Sequence, residues 1–177
     1  IPLSCFDLII RTRTMDAIDR KILTALQDDC TISLADLSGK VGLSQTPCWK
    51  RIQRLEANGV ITRRVALVSP EKIGLGLTVF VQIEAGDHSG PWLQNFARVV
   101  GSMPEVMELY RMAGDVDYML RVVVADMASY DAFYKRLIAK IEISDVSTSF
   151  AMEQIKYTTA LPLQYVVVEK PAPEKGE

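Results

Sequence analysis

The chain has 177 residues, 49% of them hydrophobic and 24% charged, which is enough apolar material for a core and excludes a disordered polymer. No apolar run reaches the ~18 residues that cross a bilayer as a helix, which excludes a helical membrane span. The net charge of −2 hides an asymmetry. Residues 1–68 carry ten Lys/Arg against seven Asp/Glu, a net of +3, and residues 69–177 carry ten against fifteen, a net of −5, which points to different partners for the two halves.

Residues 1–14 show no clear periodicity, and Arg11 and Arg13 follow their apolar stretch instead of preceding it, unlike a secretory signal. They are expected to be an extension ahead of a natural start at Met15; the alternative is an arm that touches DNA or a partner subunit. From Asp16 onward, Ile18, Ile22, Ala25 and Leu26 recur at helical spacing, with Asp16 and Asp19 placed to cap the first turn. Ser33 and Asp36 resemble a capping box, and Leu34, Leu37 and Val41 line one side of a second helix. In Val41-Gly42-Leu43-Ser44, Gly42 can take the left-handed conformation that ends this helix and Ser44 can cap the next. Pro47 falls in the first turn of the third helix, where its missing N–H costs little. That helix, about residues 45–58, turns Cys48, Ile52 and Leu55 inward.

Two short helices joined by a Gly-containing turn, the second rich in Arg, Lys, Gln and Thr, make a helix-turn-helix whose second helix enters the major groove. Arg and Lys donate to guanine and phosphate, and Gln reads adenine. The candidate DNA contacts are Ser44, Gln45, Thr46, Lys50, Arg51 and Arg54, with Arg63 and Arg64 adding phosphate contacts from a short strand read as a wing. From Ser44 to Arg64 there are five basic residues and one acidic residue, a local charge of +4. A solvated helix with basic decoration is the plainer alternative. The ordered run of three helices, and Trp49 beside Lys50 and Arg51 on a face expected to be at least partly exposed, weigh against it.

Residues 67–76, with Pro70 and Gly74, read as a linker. Leu77–Ala85 follows as a half-buried strand, 91–101 as a helix with Leu93, Phe96 and Val100 inward, and Val106–Ala113 and Asp117–Ala125 as strands joined at Gly114-Asp115-Val116. Residues 127–141 set Tyr130, Phe133, Tyr134, Leu137, Ile138 and Ile141 along one helical face, and Asp145–Tyr157 reads as a long closing strand. The order β-α-β-β-α-β is the ferredoxin-like unit, whose uncovered sheet face is most simply closed by a second copy. The fold class is therefore α+β: a winged helix-turn-helix domain (15–66), the linker, a ferredoxin-like domain whose open face suits oligomerisation (77–163), and a tail (164–177).

Three cysteines, Cys5, Cys30 and Cys48, are an odd, sparse set that fits a reducing cytoplasm. Cys48 reads as core. With the lone His88 in a Gly/Asp/Ser loop, there is no set of zinc ligands and no base placed beside a nucleophile, so neither a metal, a cofactor nor a catalytic residue is expected.

The chain resembles the Lrp/AsnC family of transcription regulators over about residues 15–163. The resemblance is carried by Met15-Asp-Ala-Ile-Asp-Arg-Lys-Ile-Leu23, Val41-Gly-Leu-Ser44, Arg51-Ile-Gln-Arg-Leu-Glu56 with Gly59-Val-Ile61, and Ala113-Gly-Asp-Val-Asp-Tyr118. Thr46-Pro-Cys-Trp-Lys-Arg51 and Ser149–Tyr157 are especially similar to the subgroup that controls cysteine detoxification. The resemblance implies a non-enzymatic regulator that binds double-stranded DNA, holds a free amino acid between subunits in its second half, the effector domain, and assembles as dimers, tetramers or octamers. Cysteine is the favoured effector and a branched-chain amino acid the second. An architectural DNA-binding protein that senses nothing is the alternative. The family's ligand loop maps onto Gly114, Asp115, Asp117 and Tyr118, with Thr148 and Ser149 as neighbours; a carboxylate there suits the ligand ammonium, and turn N–H groups and hydroxyls suit its carboxylate.

Overall fold

A computed structural model describes residues 15–167, so the expectations for 1–14 and for the tail beyond 167 lie outside the described residues. The described residues divide into two units, 15–66 with 157–167, and Leu67–Lys156. In the first, α1 (Ala17–Asp28) begins where the Asp16 carboxylate accepts the N–H groups of Ile18 (2.9 Å) and Asp19 (2.8 Å), while the Asp16 N–H donates to the Asp19 carboxylate (3.3 Å). This reciprocal box satisfies donors that a helix start leaves free. The second helix, α2 (Leu34–Val41), is capped by Ser33, which accepts the Asp36 N–H at 3.1 Å, and ends at Gly42 with φ +75°. The third, α3 (Gln45–Ala57), lays Cys48, Ile52 and Leu55 against Ile22, Leu23, Leu37 and Val41.

Leu163 packs on this same helical core, and Leu161 exchanges two hydrogen bonds with Gln27: its N–H donates to Gln27 Oε1 at 2.8 Å, and Gln27 Nε2 donates to its carbonyl at 3.3 Å. Residues 157–163, expected to belong to the sheet domain, thus lie with the helices. The long closing strand is correspondingly shorter. After Ala151 donates to the Thr78 carbonyl, Met152 and Ile155 stand exposed with no neighbouring strand to pair with among the described residues. The expected wing differs for the same reason: among the described residues no strand forms between α3 and β1, and Arg63 and Arg64 lie on exposed irregular chain.

The second unit follows the expected order: β1 (Leu77–Glu84), α4 (Gly90–Gly101), β2 (Val106–Arg111), β3 (Tyr118–Val124), α5 (Met127–Ile138) and β4 (Asp145–Phe150). The sheet runs β2-β3-β1-β4, antiparallel throughout. Strand alternation sorts the residues. Val79, Val81 and Ile83 face Val122, Leu120 and Tyr118 on one side, where Phe96, Val99 and Val100 of α4 and Phe133 and Leu137 of α5 close the core. The other side carries Phe80, Gln82, Glu108, Tyr110, Met119, Arg121, Ser147 and Ser149 in directly opposed pairs. Arg121 donates twice to Glu108 there, at 2.9 and 2.7 Å, and Phe80 and Tyr110 stay partly exposed. Ile138, expected inward, is exposed because it falls to the side of the stripe that buries Tyr130, Phe133 and Leu137.

Phe133→Ala is expected to cost about 3–5 kcal/mol, because the side chain is fully buried and its removal leaves a cavity in the core. Gly42→Ala is expected to cost about 1 kcal/mol from backbone strain alone, since an added Cβ meets no atom within 4 Å. Denaturant unfolding of each variant against the parent checks both values.

Candidate nucleic-acid interface and effector loop

The start of α3 is open, with Ser44, Gln45, Thr46 and Pro47 all exposed. Ser44 holds the capping position with extended backbone, but its hydroxyl makes no capping hydrogen bond, contrary to the expectation from sequence. Gln45, Thr46 and Lys50 are exposed, and Thr46 and Lys50 lie one turn apart on the face opposite Cys48, Ile52 and Leu55. A helix start with free N–H groups favours an anion, and the polar side chains beside it supply donors and acceptors.

Arg51 and Arg54 have another placement. Arg51 Nη1 reaches Asp16 Oδ2 at 2.6 Å and Asp19 Oδ1 at 2.8 Å, and Arg54 Nη2 reaches Asp19 Oδ2 at 2.5 Å. The Asp19 side chain is only 1% exposed. Removing the partners of a buried charge costs about 3–5 kcal/mol, whereas a charge-assisted hydrogen bond to a phosphate gains about 1.5–3. The internal pairing therefore wins for Arg51, which is turned from the outward face expected for it. Arg54, half exposed, holds Asp19 from the rim. Arg64 pairs with Glu56 at 3.0 Å, leaving Lys50 and Arg63 without an ion pair among the described residues. Once Asp16 and Asp19 are counted with the Ser44–Arg64 stretch, five basic groups face three carboxylates and the local charge is +2, half the +4 read from sequence. Burial raises the pKa of the Cys48 thiol, which Arg51 only partly offsets, consistent with a core thiol.

In the sheet unit, Gly114 has φ +142°, a conformation that favours glycine, and Asp115 beside it is exposed. Asp117 Oδ2 accepts the Ala85 N–H at 2.8 Å, and its Oδ1 lies 3.9 Å from His88 Nδ1. His88, read as a solvated loop residue, is thus beside the candidate loop; its sequence neighbours carried no sign of this. Tyr118 is 5% exposed and packs on Phe96 and Trp92, so it serves the core. Thr148 and Ser149 face opposite sides of the sheet. The Thr148 hydroxyl bonds the Tyr130 hydroxyl at 2.7 Å beneath α5, and Ser149 pairs with Phe80. Phe80 lies five residues along β1 from Ala85, about 16 Å at strand spacing, so one chain does not bring Ser149 to the Gly114–Asp117 loop.

Comparison with known proteins agrees with both units. Residues 15–56 match the AsnC-type helix-turn-helix domain, and residues 78–161 match the Lrp/AsnC ligand binding domain. The DNA-binding transcriptional activator DecR of Escherichia coli is 57% identical over 85% of this chain and 99% of its own. The glutamate uptake regulatory protein of Zymomonas mobilis is 52% identical over 85% of this chain and 92% of its own. Among solved structures, an AsnC family transcriptional regulator from Agrobacterium tumefaciens superposes with a TM-score of 0.84 at 64% identity, covering 86% of this chain and all of that one. A transcriptional regulator from Neisseria meningitidis in complex with L-methionine gives 0.82 at 34% identity, covering 87% of this chain and all of that one.

The Asp16 carboxyl is raised by burial, but the Asp19 N–H, the Arg51 guanidinium and the Ile18 N–H outweigh this and hold its pKa below its ordinary value. A carboxyl depressed in the native state contributes stability that is present above its ordinary pKa of about 3.9 and is lost as pH falls through the lower native value. The difference in thermal midpoint between the parent and Asp16→Asn is therefore expected to be largest near neutral pH and to shrink below about pH 4. Midpoints measured from pH 7 to 3 check this; asparagine keeps the capping oxygen, so a difference that stays constant with pH would show that the charge of Asp16 does not carry the effect.

Proposed function

The chain belongs to the Lrp/AsnC family of DNA-binding transcription regulators, whose members carry a ligand-binding domain and are not enzymes, and from that premise we propose how it reads DNA and what it senses. The first turn of α3 meets the major groove, with Gln45 and Thr46 on base edges, Ser44 and the adjoining N–H groups on a phosphate, and Lys50 one turn deeper. Arg63 adds a phosphate contact from the chain that follows, and Arg64 contributes while paired with Glu56. Arg51 and Arg54 act behind the helix. The observation that carries this reading is the uncapped, exposed start of α3 after the Gly42 turn.

The effector is a free amino acid, cysteine first, held at Gly114, Asp115 and Asp117. Asp115 takes the ammonium, and loop N–H groups take the carboxylate. Tyr118 and Thr148 support that loop and sheet from the core side, and Ser149 joins the site only if contributed by a second copy. What supports an amino acid is the named neighbours, one an uptake regulator for glutamate and one solved with L-methionine; what supports cysteine is the resemblance of residues 46–51 and 149–157. The effector acts by binding one assembly or DNA-competent state better than another. A second copy covers the open face of the sheet around Phe80 and Tyr110, and the resulting two-fold pair of reading heads suits paired half-sites.

Electrophoretic titration of promoter fragments with cysteine, glutamate, methionine and leucine tests the whole reading. One fragment is expected to be preferred over random duplex, with cysteine changing its affinity most; absence of any preference defeats the regulator reading, and indifference to every amino acid defeats the sensing part and favours an architectural role. Lys50→Ala is expected to weaken binding to all sequences and to reduce the salt slope by about 1. Gln45→Ala is expected to relax one base position at a cost of about 1–3 kcal/mol. Asp115→Ala is expected to remove the amino-acid response while DNA binding persists. Phe80→Asp is expected to lower the assembly mass in sedimentation while the circular dichroism spectrum is kept.

A further inference from the structure

Cys48, Ile52 and Leu55 press α3 onto the helical core, but apolar contact is non-directional and leaves a helix some freedom to roll and slide. The flank of α3 that turns toward α1 is held differently. Arg51 and Arg54, three residues apart and adjacent on one side of the helix, both end on the Asp19 carboxylate, one on each oxygen, at 2.8 and 2.5 Å. Arg51 also reaches Asp16 at 2.6 Å, and Asp16 and Asp19 are fixed to each other by the reciprocal cap of α1. Two directional, charge-assisted contacts on one buried carboxylate set both the roll and the axial position of α3 against a helix whose own start is rigid.

Resting on the reading of α3 as the DNA-reading helix, we propose that Asp19 is a specificity-positioning residue. It touches no DNA, yet through Arg51 and Arg54 it fixes where Gln45, Thr46 and Lys50 stand, and so determines how well one base sequence is told from another. Base edges demand hydrogen-bond geometry, whereas phosphates accept a cation over a wider range of positions. Losing the clamp therefore harms discrimination and spares general affinity. Simple electrostatics gives the opposite expectation: removing an acidic charge beside the helix adds one positive charge to the head and tightens binding to every duplex alike.

The test uses the full chain and two DNA probes: the duplex that the parent protein enriches from a random-sequence pool, and an unselected random duplex. Both are titrated over a salt series, well below the thermal midpoint. Asp19→Asn is expected to reduce the ratio of the two affinities by about ten-fold or more, with affinity for the random duplex equal or higher. Arg51→Lys and Arg54→Lys keep the charge but lose the planar fork, and are expected to lose discrimination with the salt slope unchanged. If Asp19→Asn fails to show native helicity by circular dichroism, the two lysine variants decide the matter. Parental discrimination in the folded variants, or equal tightening on both probes, overturns the proposal and leaves Asp19 a counter-charge. A parent protein that enriches no duplex strikes instead the reading of α3 itself.

Discussion

Asp19 brings a negative charge into the interior of the helical unit, onto the stripe of α1 that also carries Ile22 and Leu23. A carboxylate there is tolerated only when its desolvation is matched by partners of opposite charge, and α3 supplies two. The arrangement of the reading head follows from this requirement. The Asp16 and Asp19 cap starts α1, the same two carboxylates draw in Arg51, and α3 is thereby committed to one orientation. Its remaining polar residues, Gln45, Thr46 and Lys50, are left facing outward. A buried ion pair is weak evidence for stability; what this one does is set which way Arg51 and Arg54 turn.

The sheet unit works under a different constraint. Two helices cover one face of four antiparallel strands, and strand alternation then dictates that every second residue turns to the other face. That face is neither a polar solvent surface nor a dry core. It pairs Phe80, Met119 and Tyr110 with Gln82, Ser147, Ser149 and a hydrogen-bonded Arg121–Glu108 pair. Such a mixture suits a surface that is covered only on association, where satisfied polar pairs give register and aromatic residues give area.

The helices and the βαββαβ order were legible because their signals are local: caps at Asp16 and Ser33, the left-handed turn at Gly42, and alternation in β1. What sequence reading missed involves partners far apart. Arg51 and Asp19 are 32 residues apart, and a basic residue on an amphipathic helix does not declare whether its partner is DNA or another helix. One signal was available. Asp19 precedes Ile22 and Leu23 by three and four residues, so it lies on the apolar stripe, and an acid on that stripe requires a cation from elsewhere in the fold. Thr148 and Ser149 show what strand alternation does decide. Adjacent residues in a strand point to opposite faces, so both could not serve one pocket of a single chain. The shortened β4 and the missing wing depend on whether a neighbouring strand is present, which no local pattern records.

The reciprocal amide contact between Gln27 and Leu161 joins positions 134 residues apart, and Leu163 seals the same helical core. The whole sheet unit lies between them in the chain. A ribosome therefore releases the three helices early but cannot complete their packing until nearly the last residues described have emerged. At about 5–20 residues per second, that interval is roughly 7–27 seconds. The order of synthesis thus delays a finished reading head until the sheet that accompanies it has been made, so a nascent or prematurely ended chain carries the α3 residues on a head that lacks its last strap.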